Sequence, residues 1–310
     1  MNQTKKKNPL KRLLSMRGMG QVVTVTIGLI VLLVAFALIN PNFWSPTNRT
    51  NLLRQIAPIL IIGIAQSYVL ITGNIDLSIG SVVGMSTMVA ATLMSKGIMS
   101  PIPALLVTLL CCLLIGVLNG LLVAKFKLPP FIATLGTMTV ARGIAQLVNG
   151  NYNTDSIMKF YPEAAQTFKN VFYYGKTLGL YNGIWIAIIL WIVFNFLLSK
   201  TRTGRYIYAT GSNIDAARLS GVNVVSTTVI AYVVSAFCSF VVGIITCATV
   251  GQGTMDAGNS YEMYAVAASV IGGVSTLGGQ GILLGTVVGA AIWGTLQNGL
   301  QSVSYTHLRA

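Results

Sequence analysis

The sequence is a succession of long apolar runs separated by short polar segments. Nine such runs are found, at residues 22–39, 56–72, 79–95, 102–124, 130–149, 183–198, 224–250, 263–281 and 282–300. A helix crosses the hydrocarbon core of a bilayer with roughly 20 apolar residues. Within lipid, a helix also satisfies every backbone polar group of its own segment. The chain is therefore predicted to be an all-α polytopic membrane protein with about nine transmembrane helices, some broken by glycine or proline.

The net charge of +14 would be typical of a nucleic-acid-binding protein if the chain were soluble. Only 8% of the residues are charged, however, and the 20 Lys and Arg lie in short clusters between apolar runs. Such a distribution sets the topology of a membrane protein and does not build a DNA-binding face. We therefore expect membrane lipid, and no nucleic acid, as a partner.

Basic residues also predict the orientation. Residues 1–21 carry six Lys and Arg and no acidic residue, which favours a cytoplasmic N-terminus. Alternating the nine helices from there places Lys125, Lys127 and the 200–223 loop on the cytoplasmic side, so that twelve cations lie inside and six outside. The predicted organisation is a basic N-terminus at 1–21, a transmembrane domain at 22–300 and an atypical tail at 301–310.

The chain offers little material for catalysis. Its six acidic residues are dispersed, and no Ser/His/Asp or Cys/His set can be assembled with the single histidine. The four cysteines lie inside apolar runs, away from any metal-ligand spacing. Gly175-Lys176-Thr177 resembles the end of a nucleotide-binding loop, but its required first glycine is Asn170. No enzyme activity, cofactor or metal is therefore predicted.

Two stretches interrupt the apolar runs with glycine and polar residues. Residues 71–84, ITGNIDLSIGSVVG, contain Asn74, Asp76 and Ser78, and residues 271–281, IGGVSTLGGQG, contain five glycines. Asp76 or Ser78 could cap the helix that begins near Ile79. Alternatively, the stretches are broken helices beside a solute pathway, because irregular backbone is tolerated where it lines a cavity. The sequence leaves both interpretations open.

Other polar residues inside the apolar runs have ordinary explanations. Gln297 and Asn298 could hydrogen-bond between helices, with or without contact to a solute. Arg142 lies near the outer end of its run, where snorkelling of the guanidinium to the interface is favoured over substrate contact.

The longest basic and polar cytoplasmic segment is residues 200–224, KTRTGRYIYATGSNIDAARLSGVNV. Ser212 or Asn213 followed by Asp215 predicts the start of a short helix, and Gly221 predicts its end. Taken alone, the segment is better explained as an ordinary cytoplasmic loop that follows the positive-inside rule.

Four separated motifs resemble the permease subunits of bacterial sugar ABC importers of the ribose, xylose and galactose type. They are TGNIDLSIGS, AKFKLPPFIATLGTM with Ala141-Arg142-Gly143, TRTGRYIYATGSNIDAARLSGVNV, and ASVIGGVSTLGGQGILLGTVVGA. The wider family includes branched-chain amino acid permeases. The resemblance implies a multi-pass protein of the bacterial inner membrane, a second permease copy, an ABC ATP-binding subunit that binds the ATP, and an extracytoplasmic sugar-binding protein.

The resemblance also implies roles for particular residues. A short coupling helix at residues 213–221 would rest on the ATP-binding subunit, with small Ala216 and Ala217 allowing close approach and Asp215 and Arg218 pairing with the partner. The expected coupling residues are Arg205, Asn213, Asp215, Ala216, Ala217, Arg218, Ser220 and Gly221. The expected pathway residues are Asn74, Asp76, Ser78, Phe131, Thr134, Gln297 and Asn298.

Three alternatives remain beside an importer of a monosaccharide. The chain could be an ABC permease for branched-chain amino acids or a small signalling sugar, an intramembrane enzyme, or a passive channel. A passive channel would not need the 200–223 loop. The family usually has ten helices, whereas this sequence ends in SVSYTHLRA. We therefore expect residues 301–310 to be a foreign tail on a truncated permease.

Overall fold

The structure is a computed structural model that describes residues 19–309, with side chains described to residue 301. Its α-helices are α1 Met19–Ile39, α2 Pro46–Ile71, α3 Ile79–Ser95, α4 Pro101–Ala124, α5 Pro130–Leu147, α6 Pro162–Lys169, α7 Asn182–Lys200, α8 Arg202–Ser212, α9 Ile214–Leu219, α10 Val224–Val250, α11 Tyr261–Ile271 and α12 Leu283–Arg309. A π-helical segment, Asn170–Tyr174, follows α6. Two short antiparallel strands, β1 Lys176–Thr177 and β2 Leu180–Tyr181, pair Lys176 with Tyr181.

The all-α polytopic prediction is confirmed. In the described part of the chain, α1, α2, α4, α7 and α10 are long and apolar enough to cross a membrane, and α3 and α11 are shorter apolar helices. Each of the nine predicted runs contains a helix. The run at 263–281 differs in length, because α11 ends at Ile271 and the chain continues irregularly to the start of α12. Gly273, Gly278 and Gly279 all have positive φ there, which an α-helix excludes.

Local sequence signals begin and end several helices. Ser45 caps α2 by accepting from the Asn48 N–H, and Pro46 occupies the first helical turn, where no hydrogen bond is lost. Asn223 caps α10 in the same way, by accepting from the Ser226 N–H. Gly251 then ends α10 in the left-handed conformation at φ +78°. These ends are fixed by neighbouring residues and need no distant contact.

Helices α2 and α10 form the centre of the bundle. Helix α10 packs against α2, α3 and α4, and α2 also packs against α7, α11 and α12. The glycine step Gly116–Gly120 of α4 lies directly on α10, since a Cβ at Gly116 would come within 2.8 Å of the Tyr232 carbonyl oxygen. Small residues thus allow close helix packing, as expected within a membrane.

The bundle has two distinct ends, because α7 begins at the β1–β2 hairpin and finishes at α8. We call the end that carries α8 and α9 the inner end, and the end that carries the hairpin the outer end. The predicted division into segments stays a prediction. Residues 1–18 of the basic N-terminus lie outside the described residues, and α12 continues through the predicted tail to Arg309.

Candidate functional site

The predicted short helix at the inner end is α9, and its caps are those that the sequence indicates. The Asn213 Oδ1 accepts hydrogen bonds from the N–H groups of Asp215, at 3.0 Å, and Ala216, at 2.9 Å. Gly221 follows the helix with φ +81°, a conformation that suits glycine. The Ser220 hydroxyl donates to the Ala216 carbonyl at 2.8 Å. Helix α9 is therefore a short, well-terminated element.

The two faces of α9 differ from the sequence expectation in one respect. Ala217 is buried in a small cluster with Val222 and Val224, so its side chain is used within the chain and cannot approach a partner. Ala216 is exposed. Asp215 and Arg218 are exposed and form an ion pair with each other at 3.8 Å. Any charged partner must compete with this pair.

Sequence reasoning missed the most exposed apolar side chain of α9. Leu219 is 90% exposed, and Leu277, in the irregular segment before α12, is 89% exposed. Ile214 and Tyr206 are also large, apolar and exposed at this end. The predicted coupling residue Arg205 is exposed there as well and adds a positive charge. A lone leucine in a short helix resembles a core residue, and only its position beside Ser220 and Gly221 hinted at exposure.

The two irregular stretches meet each other and α8 at the inner end. The Gly279 N–H donates to the Ile71 carbonyl at 2.9 Å, which joins the end of α2 to the segment before α12. Gly211 of α8 lies on this bond: an added Cβ would overlap the Ile71 carbonyl oxygen and come within 2.6 Å of the Gly279 nitrogen. We call Ile71, Gly211 and Gly279 the junction.

A second contact holds α8 against the later irregular stretch. The Tyr208 hydroxyl donates to the Gly281 carbonyl at 2.6 Å. Burial raises the pKa of Tyr208 to about 12, so the hydroxyl remains a donor at neutral pH. Helix α8 is thus fixed to both interruptions of the bundle.

Asp76 is the centre of a buried polar network. Its Oδ1 accepts from the Ser78 N–H at 2.9 Å and the Ser78 hydroxyl at 2.6 Å, and its Oδ2 accepts from the Ser235 hydroxyl at 2.7 Å. Asn119 donates to the Ser78 hydroxyl at 2.9 Å and accepts from Thr137 at 2.6 Å. The network joins the start of α3 to α4, α5 and α10. A carboxylate that is 3% exposed needs such partners, because burial penalises an unpaired charge.

The other pathway candidates lie apart from one another. Asn74 donates to the Thr72 hydroxyl at 2.8 Å, and Thr134 is buried and donates to the carbonyl of Pro130 at 2.8 Å. Phe131 is 55% exposed on the surface of α5. At the outer end, Asn298 exchanges hydrogen bonds with Asn48 at 2.9 and 3.1 Å. Gln297 lines a cavity beside it.

One cavity brings pathway and coupling candidates together. It has a volume of about 680 Å³ and opens at the inner end between the 72–74 segment, the α4–α5 turn and the α8–α9 segment. Asn74, Asn213 and Arg218 all line it, together with Gly211 and Leu277. Of the predicted residues, Asn74, Asn213 and Arg218 therefore form an inner group around this cavity, whereas Gln297 and Asn298 form an outer pair.

Arg142 has a structural role that the sequence did not indicate. Its guanidinium donates to the carbonyls of Met255 and Ala257, both at 3.0 Å. It therefore fixes the loop between α10 and α11 to α5, where the sequence favoured snorkelling. Backbone acceptors in a loop leave no signal in the sequence.

Comparison with known proteins identifies the wider group. The family model described as branched-chain amino acid transport system / permease component matches residues 48–308. The chain belongs to this permease family. The permease is 40% identical to the ribose import permease protein of Haemophilus influenzae, a match that covers 88% of the chain and 83% of the relative.

Two further relatives are named for other sugars. The D-allose transport system permease protein of Escherichia coli is 32% identical over 88% of the chain and 81% of the relative. The galactose/methyl galactoside import permease protein of E. coli is 34% identical over 87% and 84%. No solved structure shows significant similarity to the permease. The resemblance to sugar-importer permeases that four motifs indicated is thus confirmed.

Proposed function

We propose that the permease is the membrane-spanning subunit of an ABC importer that brings a monosaccharide into the cytoplasm. The observation that carries the proposal is its similarity, over more than four-fifths of both chains, to permeases named for ribose, allose and galactose. The capped helix α9 and the junction behind it supply the mechanical parts that a driven transporter needs.

ATP hydrolysis is assigned to a separate subunit. Lys176 and Thr177, which resemble the end of a nucleotide-binding loop, form strand β1 at the outer end. A phosphate-binding loop instead leads into a helix N-terminus, where backbone N–H groups point at the phosphates. The permease then needs no cofactor of its own and receives energy through contact.

The inner end is the proposed contact for the ATP-binding subunit. It carries the cations Lys200, Arg202, Arg205 and Arg218, and this supports a cytoplasmic location with the N-terminus on the same side. Exposed Leu219 would enter an apolar groove of the partner, while Asp215 and Arg218 flank it with charge. Apolar anchors with a polar rim are the usual anatomy of a protein interface.

Movement of α9 would reach the bundle through the junction. Asn213 links α9 directly to α8, and Gly211 of α8 touches both Ile71 and Gly279. A push on α9 therefore acts at once on the ends of α2 and the segment before α12. Two copies of the permease, acting together, would open the sugar pathway alternately to the outer end, where an extracytoplasmic sugar-binding protein delivers the sugar, and to the inner end.

An importer of branched-chain amino acids or of a small signalling sugar is the second candidate, favoured by the description of the matching family model. An enzyme or a passive channel has less support, because neither explains a capped helix fixed to both interruptions of the bundle. The candidate transporters differ from one another in the substrate that they move and in whether ATP drives the movement.

Uptake by the reconstituted importer tests the proposal. The permease is assembled in proteoliposomes with its cognate ATP-binding subunit and binding protein, and labelled ribose, allose, galactose and leucine are supplied in turn. We expect ATP-dependent uptake of a sugar. Uptake of leucine alone, or sugar flux that is independent of ATP, would contradict it.

A charge-reversal variant tests the contact. The double substitution Asp215→Lys with Arg218→Glu exchanges the negative and positive charges that α9 presents to a partner. It should reduce ATP-dependent uptake by about tenfold or more, which corresponds to a loss of roughly 1.4 kcal/mol or more in coupling free energy. Asp155→Lys with Lys159→Asp is the matched control, since that pair is also exposed and local, at 2.7 Å, but lies in the 150–182 loop of the outer end. Unchanged uptake in the α9 variant would exclude this contact.

A further inference from the structure

A second cavity, at the outer end, has the composition of a sugar site. Its volume is about 220 Å³, and it lies between residues 54–59 of α2, the first turn of α11, the last two turns of α10, and α12. Arg54, Gln55, Tyr173, Tyr264 and Gln297 are among the residues that line it. Pockets for drug-sized ligands have roughly 300 to 1,000 Å³, so this cavity suits a single sugar ring.

Aromatic rings form a row that leads from this cavity into the bundle. The centroids of Tyr261 and Tyr264 are 5.6 Å apart, and those of Tyr264 and Trp293 are 5.5 Å apart. Trp293 lies one helical turn before Gln297 on α12, and its indole N–H is buried with no partner among the described residues. A sugar ring presents C–H groups on its faces, which pack on aromatic faces, and hydroxyls at its edge, which need donors and acceptors.

Arg54 is fixed in position without a carboxylate. Its guanidinium carbon lies 4.2 Å from the ring centroids of both Tyr173 and Tyr181. The ion pairs found within residues 19–301 do not include it. The Arg54 Nε and the Gln55 Oε1 are buried and have no hydrogen-bond partner there. Buried polar atoms are normally paired, so these two groups indicate a ligand that brings its own hydroxyls.

We propose that this cavity is a binding site for one neutral monosaccharide entering from the outer end. The inference rests on the proposed function and adds a binding site on the route of the sugar through the permease. The ring packs on Tyr264, and its hydroxyls bond to Arg54, Gln55 and Gln297. The site accounts for Gln297, which lies far from the inner group of pathway residues, and it would retain the sugar between release by the binding protein and passage inward.

The test compares Tyr264→Leu with Tyr264→Phe in the complete reconstituted importer. The leucine variant loses the ring face, so the sugar transported per ATP should fall about tenfold, while ATP hydrolysis stimulated by the loaded binding protein stays normal. The phenylalanine variant keeps the ring and should transport normally. Tyr152→Leu is the control, because Tyr152 is an exposed tyrosine of the outer end that does not line the cavity.

Gln297→Met is a second variant for the case that Tyr264→Leu does not assemble. It removes hydrogen bonding at similar side-chain volume and should raise the apparent KM for uptake without changing ATP hydrolysis. Wild-type transport per ATP in both Tyr264→Leu and Gln297→Met would overturn the site. Inhibition of uptake by a sugar acid and not by neutral sugar analogues would overturn the neutral ligand. Failure of the wild-type importer to move any sugar would instead refute the proposed function.

Discussion

Replacing Gly211 with alanine should disconnect α8 from the two interruptions of the bundle. The added methyl group would overlap the Ile71 carbonyl oxygen and lie 2.6 Å from the Gly279 nitrogen. Carbon atoms normally keep roughly 3.5 to 4 Å from non-bonded neighbours, so the three segments must separate by about an ångström. Separation would lengthen the 2.9 Å hydrogen bond from Gly279 to Ile71.

The size of the effect follows from these two changes. Forcing an extra methyl group into a packed site costs about 1–3 kcal/mol. Loss of the hydrogen bond adds about 0.5–1.5 kcal/mol. The combined cost of about 1.5–4.5 kcal/mol, if it falls on one conformation of the transport cycle, shifts the equilibrium between conformations by roughly 10- to 2,000-fold.

Uptake and ATP hydrolysis are measured together in proteoliposomes that contain the ATP-binding subunit and the binding protein. We expect Gly211→Ala to lower the sugar transported per ATP by at least about tenfold, because the subunit can still turn over without moving the bundle. Gly28→Ala is the matched control. Gly28 is also helical, but its added methyl group meets nothing within 4 Å, so uptake should stay normal.

A Gly211→Ala permease with normal uptake per ATP would refute the role of the junction. Loss of the variant from the membrane would show that the site is needed for folding. In that event Tyr208→Phe carries the test, because it removes only the hydrogen bond to the Gly281 carbonyl. Normal uptake per ATP in Tyr208→Phe as well would then count against transmission through α8.

Two further predictions concern other contacts. Asp76→Ala leaves buried donors without an acceptor, and each unpaired donor should cost about 1–3 kcal/mol of stability, measured as a lower unfolding temperature in detergent. Impaired uptake at normal stability would favour the pathway role of Asp76, whereas a folding defect alone would favour its role as a helix cap. Arg142→Met removes the donors to Met255 and Ala257, so amide hydrogen exchange in residues 251–260 should accelerate by about tenfold or more, while Arg218→Met should leave it unchanged.

Features that depend on neighbouring residues could be predicted from the sequence. The apolar runs become helices because length and hydropathy act within each run, and Asn213 with Gly221 delimits α9 because caps bond to N–H groups two or three positions away. The end of α11 at Ile271 could not be predicted in this way. Residues 272–282 are still mostly apolar or small, and hydropathy alone does not distinguish a glycine-rich loop from a helix.

Features that depend on distant backbone atoms could not be predicted. Arg142 bonds to carbonyls more than a hundred positions away, and carbonyls are the same in every residue. Leu219 is exposed because Ala217 and Val222 provide the buried face of this segment, and only the fold decides which of these apolar residues faces inward. Composition therefore identified the right segments but not the faces that they present.

The junction explains why the interruptions of the bundle belong together. Each alone is adequately explained as a helix end, since Asp76 accepts from the Ser78 N–H and positive-φ glycines terminate α11. Ending a helix, however, does not explain why the two helix ends also contact each other and α8 at the same point. The Gly279 to Ile71 bond, covered by Gly211, provides that contact with backbone atoms alone. Because a side chain at Gly211 would separate the segments, glycine there is a requirement of the contact, and we expect a movement of α8 to act on both interruptions together.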